Sequence, residues 1–344
     1  MSQAGSQPVS HGIETSLEYF VLDVFSETRL MGNPLAVVLH GGTLTAETMQ
    51  AIARETNLSK TTFVERRDLE TERNEGVLVR IFTTQEELPF AGHPTLGTAS
   101  LLRTIAPECM AGNTVKLALK VGVVPVVFEI QPTSASWPVR GTMTQRDPEF
   151  GEILDAAEVA ALTGLEVEDF DSKRPIQIVS TGTAFAIVPL RSADALARLR
   201  VRQDEASVFL TARGARWFYV LGPTTASASA SASGGAKAQP VWRARMQFNG
   251  GEDPATGSAA GCAISHLVRW RAVASDETIQ IRQGVEISRP SDLFLSASLE
   301  RARLEAGQPN ASETAVHEPH DAKVTNVRVG GSTILVAKGK LFLP

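Results

Sequence analysis

The 344 residues carry 33 lysines and arginines against 38 aspartates and glutamates, a formal net charge of -5, with no basic stripe. That balance argues against nucleic acid and anionic membrane surfaces as partners, and no apolar run reaches the roughly 18 residues of a membrane span. The two cysteines, Cys109 and Cys262, form no CxxC or metal spacing, which fits a reducing, cytoplasmic setting and not a disulfide framework.

The length suffices for two domains with cores of ordinary size. Residues 1–16 are polar, with neither a basic start nor an apolar h-region, and are expected to be a disordered lead-in, not a secretory signal. Residues 19–25 (Tyr-Phe-Val-Leu-Asp-Val-Phe) and 35–39 read as two strands around the turn Gly32-Asn33-Pro34. Residues 45–55 place Met49, Ile52 and Ala53 at helical spacing behind a Thr45 cap. Asn57-Leu58-Ser59-Lys60 ends that helix, and strands are expected over 61–64 and 77–82. Residues 83–90 form an acidic loop leading to His93.

Two stretches then stand out. Gly92-His93-Pro94-Thr95-Leu96-Gly97-Thr98-Ala99 and Glu252-Asp253-Pro254-Ala255-Thr256-Gly257-Ser258-Ala259 both read polar-Pro-x-x-Gly-hydroxyl-Ala and run on into an apolar helical pattern. Proline tolerates the first helical turn, so each reads as a helix start with His93 or Asp253 at the cap. The small residues behind the cap leave amides open to an anionic group. One such motif is simply a capped helix. Two, about half a chain apart, point to two similar lobes whose helix starts face one cleft, His93 across from Asp253.

Between the two, residues 115–119 and 123–130 are expected to pair as a hairpin, 137–150 to hold loops and at most an edge strand, and 155–163 a short helix. Residues 176–190 are two strands around Thr181-Gly182-Thr183, followed by a short helix at 193–199 and strands at 216–221 and 241–248. Residues 224–239 (Thr-Thr, then Ala-Ser repeats and Gly-Gly) have no large apolar side chain to bury and read as an inserted loop. Beyond the second motif, strands are expected at 280–287 and 293–299, then a second polar insertion at 303–321. His317 and His320 in it lack a third ligand and read as solvated loop. Residues 324–329 and 334–337 are expected to pair across Gly330-Gly331, and 340–343 to end as a strand.

These residues resemble the phenazine-biosynthesis PhzF-like family. The likeness lies in Ile81-Phe82-Thr83, Glu87-Leu88-Pro89-Phe90-Ala91-Gly92-His93-Pro94, the Glu252 motif and Gln283-Gly284-Val285-Glu286-Ile287-Ser288-Arg289-Pro290-Ser291. Phe25 with Gly32-Asn33-Pro34, and Ala53-Arg54-Glu55-Thr56-Asn57-Leu58-Ser59, add to it. The resemblance implies an α+β fold of the diaminopimelate-epimerase-like kind, with two lobes, each a curled mixed sheet around a central helix. The expected lobes are residues 17–131, which 338–344 can join, and 132–337. It further implies a homodimer, no metal or organic cofactor, and isomerisation of a small molecule by proton transfer between the lobes. Carried over, His93 and Asp253 are the assisting acid and base groups. Gly92, Gly257, Ser258, Asn33 and Ser59 belong to the substrate pocket.

The sequence departs from the family at Lys60, where the resembling proteins place the glutamate that takes and returns the proton. A carboxylate shuttles protons near neutrality after a modest upward shift, whereas a lysine must first be desolvated. The residues 249–252 before Asp253 (Asn-Gly-Gly-Glu) are also shorter than the family's passage, and Thr84 replaces a proline. The readings left open are Lys60 as acid or base, as Schiff-base nucleophile, or as hydrogen-bond donor in a cyclisation or elimination. A binding protein without catalysis is the remaining one. Glu55, Glu86 and Glu87 are the nearby carboxylates that could substitute as bases.

Overall fold

Alternating buried and exposed side chains build the first lobe as a barrel, because a strand with one wet face must hide the other. The computed structural model describes residues 16–42, 44–129, 137–224, 241–300 and 323–343. β1 (Ser16–Val24), β2 (Asn33–His40), β3 (Thr61–Glu65), β4 (Val77–Phe82, with the short β5, Glu87–Leu88, at its side), β6 (Thr114–Leu119), β7 (Gly122–Phe128) and β8 (Val139–Thr144) follow one another in one sheet. β18 (Lys323–Phe342) pairs with both β8 and β1 and so closes an eight-stranded barrel. α1 (Ala46–Thr56) and α2 (Leu69–Glu75) connect its strands, and α3 (Gly92–Ile105) runs inside it. Every residue from Gly92 to Arg103 is buried. The Thr45 hydroxyl caps α1, whose Met49, Ile52 and Ala53 pack on Val38, Phe63 and Phe82 outside the barrel.

The second lobe shares β18 and continues through β17 (Ser291–Glu300), β16 (Ile279–Gln283), β13 (Val241–Arg245), β12 (Trp217–Pro223), β11 (Ala184–Pro189), β10 (Gln177–Ser180) and β9 (Glu149–Ile153). A small hairpin of β14 (Gln247–Phe248) and β15 (Gly251–Glu252) lies beside it. This sheet curls around α6 (Gly257–Arg269), which touches β17 and β18 at one end and β10 and β11 at the other. Strand periodicity decides the two faces of β11 and β12. Phe185, Ile187, Tyr219 and Leu221 join the core around α6, while Ala186, Val188, Phe218 and Val220 join a second core under α4 (Ala156–Thr163) and α5 (Gln203–Thr211). Each lobe is a mixed sheet with two parallel pairs, β2 with β3 and β4 with β6 in one, β11 with β12 and β13 with β16 in the other.

Four sequence expectations need correction. Residues 324–329 and 334–337 do not fold back across Gly330-Gly331; they are one strand of 20 residues, β18. The two glycines allow close approach instead of a turn. A Cβ on Gly330 would lie 2.5 Å from Thr142 Oγ1, and one on Gly331 2.5 Å from the Phe25 ring. β8, expected as loop or edge, is an interior strand between β7 and β18. The strand expected over 280–287 ends at Gln283. α2 and α5 were not expected, because their sequences carry many charges and no continuous apolar stripe. The insertions at 224–239 and 303–321, the lead-in and the His317–His320 pair lie outside the described residues, except for Thr224 and Ser16.

A clamp joins the lobes at the approach to the cleft. Arg289, in the loop between β16 and β17, donates to Asp23 Oδ1 of β1 at 2.6 Å and to the carbonyls of Gly32 and Met31, both at 2.9 Å. Asp23 is 3% exposed and also accepts from the Leu30 N–H. Arg289→Ala would leave that carboxylate buried with a cation lost. We expect it to lower stability by about 2–3 kcal/mol, below the full cost of breaking a wholly buried pair because the arginine is partly solvated. The urea midpoint measures it.

Candidate active site

The two repeated stretches meet. Gly92 and Gly257 are the first residues of α3 and α6, and a Cβ on Gly92 would lie 3.1 Å from the Gly257 backbone. A side chain there would press on the backbone of the other helix start. The helix starts do differ from the sequence expectation in their caps. α3 begins at Gly92 with Ala91 at the cap, so His93 and Pro94 lie in the first turn. Proline is tolerated there because the first amides of a helix have no intrahelical acceptor. α6 begins at Gly257 with Thr256 at the cap, which leaves Asp253 and Pro254 in the preceding loop. Asp253 is thus freed from capping, and its carboxylate is held by side chains.

Asn33, fully buried at the start of β2, is the hub. Its Nδ2 donates to Asp253 Oδ1 at 2.7 Å and to the Ala255 carbonyl at 2.8 Å, and lies 3.2 Å from His93 Nδ1. Its Oδ1 accepts from the Ser59 hydroxyl at 3.3 Å. The two hydrogens of the Asn33 amide nitrogen go to Asp253 and Ala255, and it has no lone pair to accept a ring proton, so we assign the His93 proton to Nε2 and leave Nδ1 bare. That buried Nε2 has no hydrogen-bond partner among the described residues. Asp253 Oδ2 accepts from the Thr256 hydroxyl at 2.7 Å. Lys60, partly buried between α1 and β3, donates to the Ser59 carbonyl at 3.0 Å.

The electrostatics follow from this packing. Burial raises the Asp253 carboxyl above the ordinary range, opposed by the Lys60 charge and by the donors Thr256 and Asn33. Burial lowers the Lys60 ammonium, opposed chiefly by Asp253, while Arg216 lowers it further. Burial and then the Lys60 charge push His93 well below the usual histidine range, so the imidazole is neutral. An acid and a base whose proton affinities are drawn toward each other, beside a neutral imidazole, can exchange protons with a carbon acid.

All the sequence candidates converge: Asn33, Ser59, Lys60, Gly92, His93, Asp253, Gly257 and Ser258 lie at or beside the meeting point of α3 and α6. The alternative bases fare differently. Glu87 is tied to Arg80 and Lys120, both at 2.7 Å, and Glu55 is exposed at the end of α1. Glu86 faces Arg216 at 3.5 Å across the lobes. Burial pushes both cysteine thiols up to about 11, too high for a nucleophile at neutral pH. Among the described residues no group of three His, Cys, Asp or Glu side chains comes together to hold a metal ion. The sequence reading gave no role to Thr256 and Gln283, although both lie in the motifs quoted for the resemblance, and Tyr219 carried no signal at all.

Residues 22–339 match the family model described as phenazine biosynthesis-like protein, PhzC-PhzF. The sequence is 34% identical over 303 residues to trans-2,3-dihydro-3-hydroxyanthranilate isomerase of Pseudomonas aeruginosa, covering 87% of this chain and 97% of that one. Among solved structures, a predicted epimerase from Pseudomonas aeruginosa superposes with a TM-score of 0.70 at 30% identity, covering 95% of this chain and all (100%) of that one. The Bacillus anthracis phenazine biosynthesis protein of the PhzF family superposes with a TM-score of 0.73 at 21% identity, covering 96% and 100%. The architecture is diaminopimelate-epimerase-like.

Proposed function

The chain belongs to the phenazine biosynthesis-like, PhzC-PhzF, family, in which its relatives are named isomerases, and from that premise we propose a proton-transfer isomerase or cyclase needing no cofactor. Its substrate is a small anionic metabolite, unsaturated or cyclic, bound where α3 and α6 meet. The observation that carries this is the Asp253 carboxylate, held by Asn33 and Thr256 and within the influence of the Lys60 charge, beside a buried His93 Nε2 that has no partner among the described residues. The first-turn amides of Gly92, His93, Gly257 and Ser258 attract the anionic group, since helix geometry supplies them no acceptor. His93 Nε2–H offers one more donor to a substrate oxygen.

The charges assign the roles. Against burial, Asp253 and Lys60 each favour the other's ionised form, and the proposed cycle starts from carboxylate and ammonium. Asp253 then removes a proton from carbon, the helix amides and His93 hold the charge that develops on the conjugated system, and Lys60 delivers a proton to the second position. Cyclisation follows the same course when an internal nucleophile closes on the protonated system.

Two measurements test this. Incubation in D2O with trans-2,3-dihydro-3-hydroxyanthranilate, the compound in the relatives' name, and with a panel of unsaturated carboxylic acids should place deuterium on a substrate carbon, followed by NMR. Tight binding of such acids without any exchange would leave a binding protein. The pH profile of turnover should be a bell. Asp253 must be ionised, so its acid limb lies above the ordinary carboxylate range because burial raises that group. Lys60 must be protonated, so the alkaline limb lies below the ordinary lysine range because burial lowers it. Activity rising steadily with pH would instead make neutral Lys60 the base.

A further inference from the structure

Beyond Asp253 runs a chain of hydrogen bonds whose direction is determined. Gln283, at the end of β16, is fully buried. One of its amide atoms lies 3.1 Å from the Thr256 backbone N–H, which can only donate, and the other 2.8 Å from the Asp253 carbonyl, which can only accept. The amide therefore has one possible orientation, Oε1 toward Thr256 N and Nε2 toward Asp253 O. Oε1 also accepts from the Tyr219 hydroxyl at 3.0 Å, and Nε2 also donates to Thr256 Oγ1 at 3.0 Å. All four of its hydrogen-bonding positions are used. Since the Thr256 hydroxyl receives from Gln283, its own proton is left to point at Asp253 Oδ2, 2.7 Å away. On the other carboxylate oxygen, Asn33 Nδ2 is likewise bound to donate, because the same nitrogen faces the Ala255 carbonyl.

In its charged state Asp253 thus accepts on both oxygens, from Asn33 Nδ2 on one and from the Thr256 hydroxyl on the other, and the remaining lone pairs are the ones left open to an arriving proton. We infer that Gln283 is a positioning residue for proton transfer: acting through Thr256, it orients the Asp253 carboxylate and reserves its free lone pairs for the proton taken from substrate. This deepens the proposed function and rests on it. Burial favours the neutral carboxyl, and the Lys60 charge, then Thr256 with Gln283 behind it, then Asn33 oppose it. The other ionisable groups around Asp253 are Lys60 from the turn after α1 and Tyr219 from β12, with His93 from α3 joined to it through Asn33. At the pH values of interest His93 and Tyr219 are neutral, so among the described residues Lys60 is the charged group acting on Asp253.

The test reads the proton directly and needs no substrate. Carbon-13 NMR of the aspartate carboxyls, with Asp253 assigned by difference against Asp253→Asn, gives its titration midpoint in the intact protein. Thr256→Val keeps the shape and removes the hydroxyl. We expect it to move the midpoint up by about one pH unit, a tenfold change in proton affinity, because a hydrogen bond to the charged form is lost. Thr256→Ser should restore the original midpoint. Gln283→Met should move it in the same direction by less, since the Thr256 hydroxyl can still donate but is no longer held. The inference is overturned if Thr256→Val lowers the melting temperature while leaving the midpoint in place, or if Gln283→Met shifts it in a Thr256→Val background. A shifted midpoint in a protein that exchanges no substrate deuterium would uphold the relay and count against the proposed isomerase alone.

Discussion

Asp253→Asn should reduce turnover about a thousandfold, within the range by which a positioned general base accelerates proton transfer. The side chain keeps its size, so the helix starts and the Asn33 hub stay in place, but it can no longer accept a proton. The amide has one oxygen for two donors. Either the Thr256 hydroxyl or Asn33 Nδ2 must face its NH2 group, and the unmatched donor costs about 1–3 kcal/mol. Stability and turnover should therefore be measured together. The decisive reading is deuterium exchange at the substrate carbon in a variant confirmed as folded. Activity within tenfold of the parent protein would remove Asp253 from the chemistry.

Lys60→Ala is the second large expected loss, about a hundredfold or more, since it removes the proposed proton donor and a positive charge that favours the ionised form of Asp253. It also predicts a shift that a purely structural lysine would not produce. Without the ammonium, burial acts on Asp253 unopposed by that charge, so the acid limb of any residual activity should move to higher pH. His93, relieved of a neighbouring positive charge, should titrate at higher pH as well. Lys60→Arg should not rescue turnover, because a guanidinium stays charged and does not release its proton. Lys60→Glu installs the carboxylate that the family resemblance implies at this position and should recover a proton shift on the compound in the relatives' name. Borohydride added with substrate should trap no adduct. A covalent adduct at Lys60 would replace acid catalysis by a Schiff base.

Much of this was legible along the chain because its causes are local. Proline restricts the backbone and glycine frees it wherever they occur, and the stretches 92–97 and 254–257 both begin helices near the positions their sequence implies. Apolar alternation placed most strands, and Thr45 and Asp155 cap the helices they precede. The caps at His93 and Asp253 were misread for a local reason too. A polar residue before proline suits a cap, and nothing within a few residues reveals that its side chain is engaged elsewhere. Likewise Gly330-Gly331 reads as a turn until Thr142 and Phe25 are seen pressing on it.

By itself the sequence determined the family, the two helix starts and the presence of lysine where the resembling proteins carry glutamate. What those residues can do was decided by the tertiary structure. Asn33 reaches Asp253 across 220 residues and His93 across 60, and Gln283 holds Thr256 from another strand. The proton affinities of Lys60, His93 and Asp253 depend first on burial. Burial is set by whichever atoms exclude water from a charge, and here those atoms come from both lobes, so no stretch of sequence around any one of the three contains it.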